Sequence, residues 1–202
     1  MNTKVMNKIG YGLYVLTAKE NDKDNGCIIN TVQQVTSTPN RISITVCKDN
    51  YTHDMIMRTK EFNVSIISEK ADFELFKHFG FQSGRDVDKL SDYVEKQEAS
   101  NGIMFITNGT NSYISGKVID TVDLGTHTLF VADVTDGEVL DDTPSATYDY
   151  YHKNIKVMPK KSGETKQFVC TICGYIYEGD ELPADFVCPL CNHGVEDFEE
   201  LK

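Results

Sequence analysis

The sequence predicts a mainly β chain, β-rich α+β in class, in which an antiparallel barrel is followed by a small four-cysteine metal domain. Three observations carry that expectation. Residues 1–151 run in short alternating stretches rich in β-branched and aromatic residues. Helical character is confined to two short segments between them. The segment 167–202 holds two Cys-x-x-Cys pairs and is too short to fold comfortably on an apolar core, so a metal staple is expected.

Taken in order, residues 12–18 read as a strand and 21–26 as a turn. Residues 41–46 alternate polar and apolar positions, as a half-buried strand should, and 62–67, 112–119 and 127–134 repeat the pattern. Helices are expected over 52–59 and 71–79. Many strands with few helices favour an antiparallel barrel over a doubly wound sheet. No Gly-x-Gly-x-x-Gly follows a strand, which argues against a Rossmann nucleotide site. Residues 152–166 shift sharply to Lys, Ser, Gly and Pro and read as a linker.

Composition narrows the function classes. A hydrophobic content of 40% is enough for a packed core. No apolar run approaches the roughly 20 residues needed to span a membrane, and the N-terminus leads into no apolar signal segment, so a cytoplasmic protein is expected. Twenty basic against 31 acidic residues give a formal charge of −11, which argues against nucleic acid or an anionic membrane as partner. From Lys161 onward three basic residues face nine acidic ones, so the acid concentrates in the cysteine-bearing tail.

Six cysteines in a reducing compartment are poor candidates for structural disulfides. Cys27 and Cys47 stand alone and read as small apolar residues. Cys170, Cys173, Cys188 and Cys191 form two pairs with 14 residues between Cys173 and Cys188, an arrangement suited to wrap one tetrahedral ion in four thiolates. Gly174 and Asn192, each following a pair, are the residue types that best tolerate a left-handed turn. Four thiolates suit zinc and iron equally by geometry. Cys-Gly-Tyr, Tyr177-Glu-Gly-Asp, the Pro-x-x-Phe-x-Cys-Pro-x-Cys of residues 183–191 and the Phe-Glu-Glu-Leu ending resemble rubredoxins, the one-iron electron carriers. Asn192, where that family has Gly, and the lack of tryptophan are departures. The shortened loop is similar to the abbreviated rubredoxins fused to other redox proteins.

In the larger region, the block 26–39, then Lys48-Asp-Asn50-Tyr51-Thr52, then 79–90 resemble, in order, the FMN-binding split β-barrel of flavin reductases and flavoredoxins. For the phosphate of FMN, Arg85 offers a bidentate fork, Lys48 or Lys89 a point charge, and Thr31 and Thr52 hydroxyls. Asn50, Tyr51, Ser83 and Gly84 belong to the same matching blocks. Asn30, Gln33 and Gln34 carry amides for the polar edge of the isoalloxazine or the ribityl chain, and the resemblance implies that Val32 contributes its backbone. His127 matches a family histidine beside the exposed flavin face, where nicotinamide stacks.

The whole resembles the high-molecular-weight rubredoxins. That resemblance implies an NAD(P)H-dependent electron-transfer flavoprotein using NADH or NADPH, FMN and one iron, with an acceptor such as a flavodiiron NO/O2 reductase, and a homodimer. The alternatives are a non-enzymatic relay between proteins, or a flavin reductase bearing a structural zinc ribbon.

Overall fold

A computed structural model of the protein describes residues 5, 8–156, 166–172, 175–188 and 193–200. The chain divides into two compact units, Met1–Ile155 and Lys156–Lys202.

In the first unit, β1 (Tyr14–Glu20) and β2 (Lys23–Ile29) form a hairpin. The turn between them is tighter than the sequence suggested. Asn21 adopts φ 55°, which asparagine tolerates, so residues 23–26 are already strand rather than turn. Polar residues survive in β2 because distant elements meet them: Asp24 faces Lys19 at 4.0 Å and accepts the Met104 N–H at 3.1 Å, and the buried Asn25 Nδ2 donates to Thr52 Oγ1 at 2.8 Å. Next come β3 (Val32–Ser37), β4 (Asn40–Cys47), α1 (Tyr51–Thr59), β5 (Glu61–Ile67) and α2 (Phe73–Gly80). They are followed by β6 (Lys96–Glu98), β7 (Met104–Ile106), β8 (Thr110–Asp123) and β9 (His127–Val139). The helix α3 (Tyr148–Tyr150) continues into a π-helical turn, Tyr151–Ile155.

Seven strands form one antiparallel sheet in the order β2-β1-β5-β8-β9-β4-β3. Its edges β2 and β3 are not bonded to each other, which is the split-barrel arrangement. Register shifts at Ile66/Ile67, Ser115/Gly116 and Val118/Asp120 supply the local twist that coils such a sheet. The inner face buries Leu16, Ile44, Val46, Val64 and Phe130, capped by Met55 and Ile56 of α1. A second cluster joins Val15 and Ile67 to Phe76 and Phe79 of α2 and to Tyr151 and Ile155. Ile155 is therefore core, and residues 152–155, which composition assigned to the linker, are helical; one apolar side chain four residues after Tyr151 outweighs their polar neighbours. Residues 157–165 of the expected linker lie outside those described.

The second unit is a three-stranded sheet, β11-β10-β12, from β10 (Gln167–Cys170), β11 (Ile176–Glu178) and β12 (Phe198–Glu200), with a 3₁₀ turn at Val195–Asp197. Phe186 is its apolar hub, 4.8 Å from the Tyr177 ring and 5.4 Å from Phe198. Among the described residues no helix is long and apolar enough to cross a membrane.

Candidate functional site

The first turn of α1 gathers the polar groups of the barrel. Asn50 precedes the helix with extended backbone, φ −71° and ψ 127°, and its side chain makes no capping bond. The helix start is thus left without the side-chain acceptor that usually satisfies it. Lys23 Nζ and the Arg85 guanidinium lie over the Tyr51 ring, 5.4 and 5.3 Å from its centroid. Lys23 also donates to the Gly84 carbonyl at 3.1 Å, and Ser83 Oγ accepts the Arg85 N–H at 3.1 Å. Gly84 is buried against the Asn25 amide so closely that a Cβ there would sit 2.1 Å from Asn25 Oδ1. Asn25 in turn holds Thr52, so the two segments 50–52 and 83–85, about thirty residues apart, meet through β2.

This arrangement fits a phosphate monoester. Two cations stand beside an uncapped helix start whose dipole favours negative charge, and a glycine lets backbone approach. Asn25 Oδ1 is buried and lacks a hydrogen-bond partner, as polar atoms seldom do.

The other expected ligands are distributed differently. Lys48 pairs with Asp123 at 2.7 Å, and its N–H bonds Thr126 O at 3.0 Å. Cys47 is registered opposite His127, so Lys48 and His127 share one end of the sheet. His127 is half-buried, with Nδ1 2.9 Å from Thr126 Oγ1. Asn30 and Thr31 lie between β2 and β3; the Thr31 hydroxyl donates to Thr45 O at 2.7 Å. Val32 packs on the core, while Gln33 and Gln34 are exposed on the edge strand β3, with Gln34 Nε2 on Asn40 Oδ1 at 2.9 Å. Thr52 is fully buried. Lys89, expected at the phosphate, is instead buried with its ammonium on the Gly26 and Phe79 carbonyls, each at 2.9 Å. Burial lowers its pKa.

Three residues of this neighbourhood, Lys23, Asn25 and Asp54, escaped the sequence reading, and His53 reads from the sequence as serving local structure only. Lys23 and Asn25 were hidden in an apparent turn. His53 and Asp54 were separated from their partners, as Asp54 meets Arg85 at 2.7 Å across 31 positions. Burial works to raise the Asp54 pKa, but hydrogen bonds from Arg85 and His53 outweigh it and the carboxyl titrates below its ordinary value.

In the second unit each Cys-x-x-Cys turn is closed by the same backbone bond: Cys170 N–H to Tyr175 O and Cys188 N–H to His193 O, both at 2.8 Å. Cys170 and Cys188 are fully buried. Two buried cysteines, each with the same backbone bond, fit a four-thiolate ion. Cys173 and Cys191 lie outside the described residues.

Comparison with known proteins agrees with both halves. Residues 6–158 match the flavin reductase like domain, and residues 168–199 match the rubrerythrin, rubredoxin-like domain. The high molecular weight rubredoxin of Moorella thermoacetica is 33% identical over 100% of both chains. The ferric-chelate reductase (NAD(P)H) of Archaeoglobus fulgidus is 37% identical over 75% of this chain and 89% of that one. In fold, an NADH:FAD oxidoreductase of Streptomyces globisporus superposes with a TM-score of 0.65 at 20% identity, covering 71% of this chain and 84% of that one. The chain belongs to the flavin reductase like family and carries a rubredoxin-like domain C-terminal to that region in sequence.

Proposed function

We propose that the chain is an NAD(P)H-dependent electron-transfer flavoprotein, in which FMN in the barrel serves a one-iron Fe(Cys)4 centre and, through it, an acceptor protein such as a flavodiiron NO/O2 reductase. Bound FMN supplies the conversion of a two-electron hydride donor into one-electron steps. The protein supplies position and charge. Arg85 and Lys23, with the first-turn N–H groups of α1, hold the phosphate, and the Asn30–Gln34 segment offers amides to the polar edge of the flavin ring. With Nδ1 tied to Thr126, His127 keeps Nε2 to orient a nicotinamide. Cys170, Cys173, Cys188 and Cys191 hold the iron.

The acidic tail suits a partner with a basic patch. Ile119, Val122 and Leu124, exposed at the β8–β9 end, suit the face of a homodimer. A cytoplasmic location agrees with reduced cysteines.

The observation that carries this reading is the pairing, in one chain, of the cationic α1 site with two cysteine pairs, in a chain that is 33% identical over its whole length to the Moorella protein. Metal and flavin analysis of the purified protein tests it. The expectation is one FMN and one iron per chain, with Cys188→Ser losing the iron and keeping the flavin. Stoichiometric zinc from iron-replete cells would make the tail structural and overturn the electron path.

A further inference from the structure

Four side chains form a hydrogen-bonded line through the barrel, and only the last of them, Arg85, has a role above. Thr128 Oγ1 lies 2.9 Å from His53 Nε2, His53 Nδ1 lies 3.1 Å from Asp54 Oδ1, and Arg85 Nη2 donates to Asp54 Oδ2 at 2.7 Å. The line starts in the sheet, where Thr128 of β9 is buried between Val46 of β4 and Asp123 of β8. It passes through His53, only 6% exposed and edge-on to Phe130 at 5.7 Å. It ends at an exposed arginine on the loop after α2.

The chemistry gives each link a direction. A carboxylate oxygen only accepts, so His53 Nδ1 carries the proton toward Asp54, and in the neutral ring Nε2 accepts from the Thr128 hydroxyl. Asp54 is thus held by one oxygen from a buried, immobile ring and presents the other to Arg85. An arginine on a loop samples many rotamers, and their loss opposes any grip it takes on an anion. Here that ordering is done in advance: the guanidinium is fixed by Asp54 and rests over Tyr51, using one of its five donors on the carboxylate.

We infer that Asp54 and His53 are positioning residues for the flavin phosphate, acting through Arg85, which they hold beside the uncapped start of α1. The inference rests on the reading of Arg85 as a phosphate ligand. The Asp54 charge also repels a phosphate, and the two effects oppose each other. Asp54 engages Arg85 directly while its repulsion acts through partly exposed, salt-screened space, so ordering dominates at physiological ionic strength.

The test is a pair of titrations of the full-length, flavin-stripped protein, with FMN and with riboflavin, which lacks the phosphate. The expected result for Asp54→Ala is an FMN affinity lower by about tenfold, with riboflavin affinity unchanged. Asp54→Asn, which keeps an acceptor for Arg85, should fall between the variant and the parent, and His53→Ala should move the same way as Asp54→Ala. If both flavins weaken equally, the residues serve the fold and the inference fails. If FMN binds as well or better in Asp54→Ala while Arg85→Ala loses it selectively, Asp54 is a repulsive neighbour; the inference fails and the phosphate reading stands. If Arg85→Ala keeps the full preference for FMN over riboflavin, the phosphate reading fails and takes the inference with it.

Discussion

Lysine and arginine can both serve a phosphate, but burial decides which of them is free to do so. The Lys89 ammonium is satisfied by two main-chain carbonyls and belongs to the fold. Replacing it with alanine strands both carbonyls and should destabilise the barrel by about 3 kcal/mol, read by urea unfolding. Arg85→Ala should cost little stability and act on FMN affinity instead. Asp54 adds a pH signature. Its folded pKa lies below its unfolded one, so the stabilisation it gives is complete above the ordinary aspartate value and is lost as pH falls through the folded value. The stability gap between the parent and Asp54→Asn should therefore be larger at pH 7 than at pH 3, and a gap that grows on acidification would refute this. The sequence offers Arg85 as a forked cation for the phosphate, and the structure leaves that side chain exposed. The sequence could not separate Lys89 from it, because both sit in one loop and only packing distinguishes them.

At the scale of elements, what the sequence made legible were the segments with one dominant period. The alternation in 41–46 and 62–67 became β4 and β5, and the helical patterns became α1 and α2 within two residues. β2 was missed because its first residues are polar, and their partners lie far along the chain on β1, β7, α1 and the loop after α2. β6 and β7 are three residues each, too short for any period to show. The turn into β8 shows a constraint that only coordinates reveal. Gly109 has φ 66°, and a Cβ there would lie 3.0 Å from the Ala71 backbone. Gly109→Ala should cost about 1–3 kcal/mol, seen as a lowered unfolding midpoint, since backbone cannot give way. The two cysteine pairs are legible from spacing alone, and the described bonds from Cys170 N–H to Tyr175 O and from Cys188 N–H to His193 O repeat one another.

At the scale of the molecule, two units share one chain. The tail has a small aromatic hub and is expected to need its metal to stay folded, whereas the barrel has two apolar clusters. Stripping the metal should abolish the fold of the tail and leave the barrel's thermal transition nearly unmoved, which calorimetry with and without chelator would show. The formal charge of −11 adds a kinetic expectation: electron transfer to a basic acceptor should slow steeply as salt rises. If flavin and iron form one electron path fed by nicotinamide, an anaerobic visible spectrum of the iron-loaded protein before and after stoichiometric NADH or NADPH will show it. A flavin band over a ferric-thiolate band is expected, both bleached, with Cys188→Ser bleaching its flavin alone. Two bands that neither nicotinamide bleaches would contradict it and make the protein a relay with another donor.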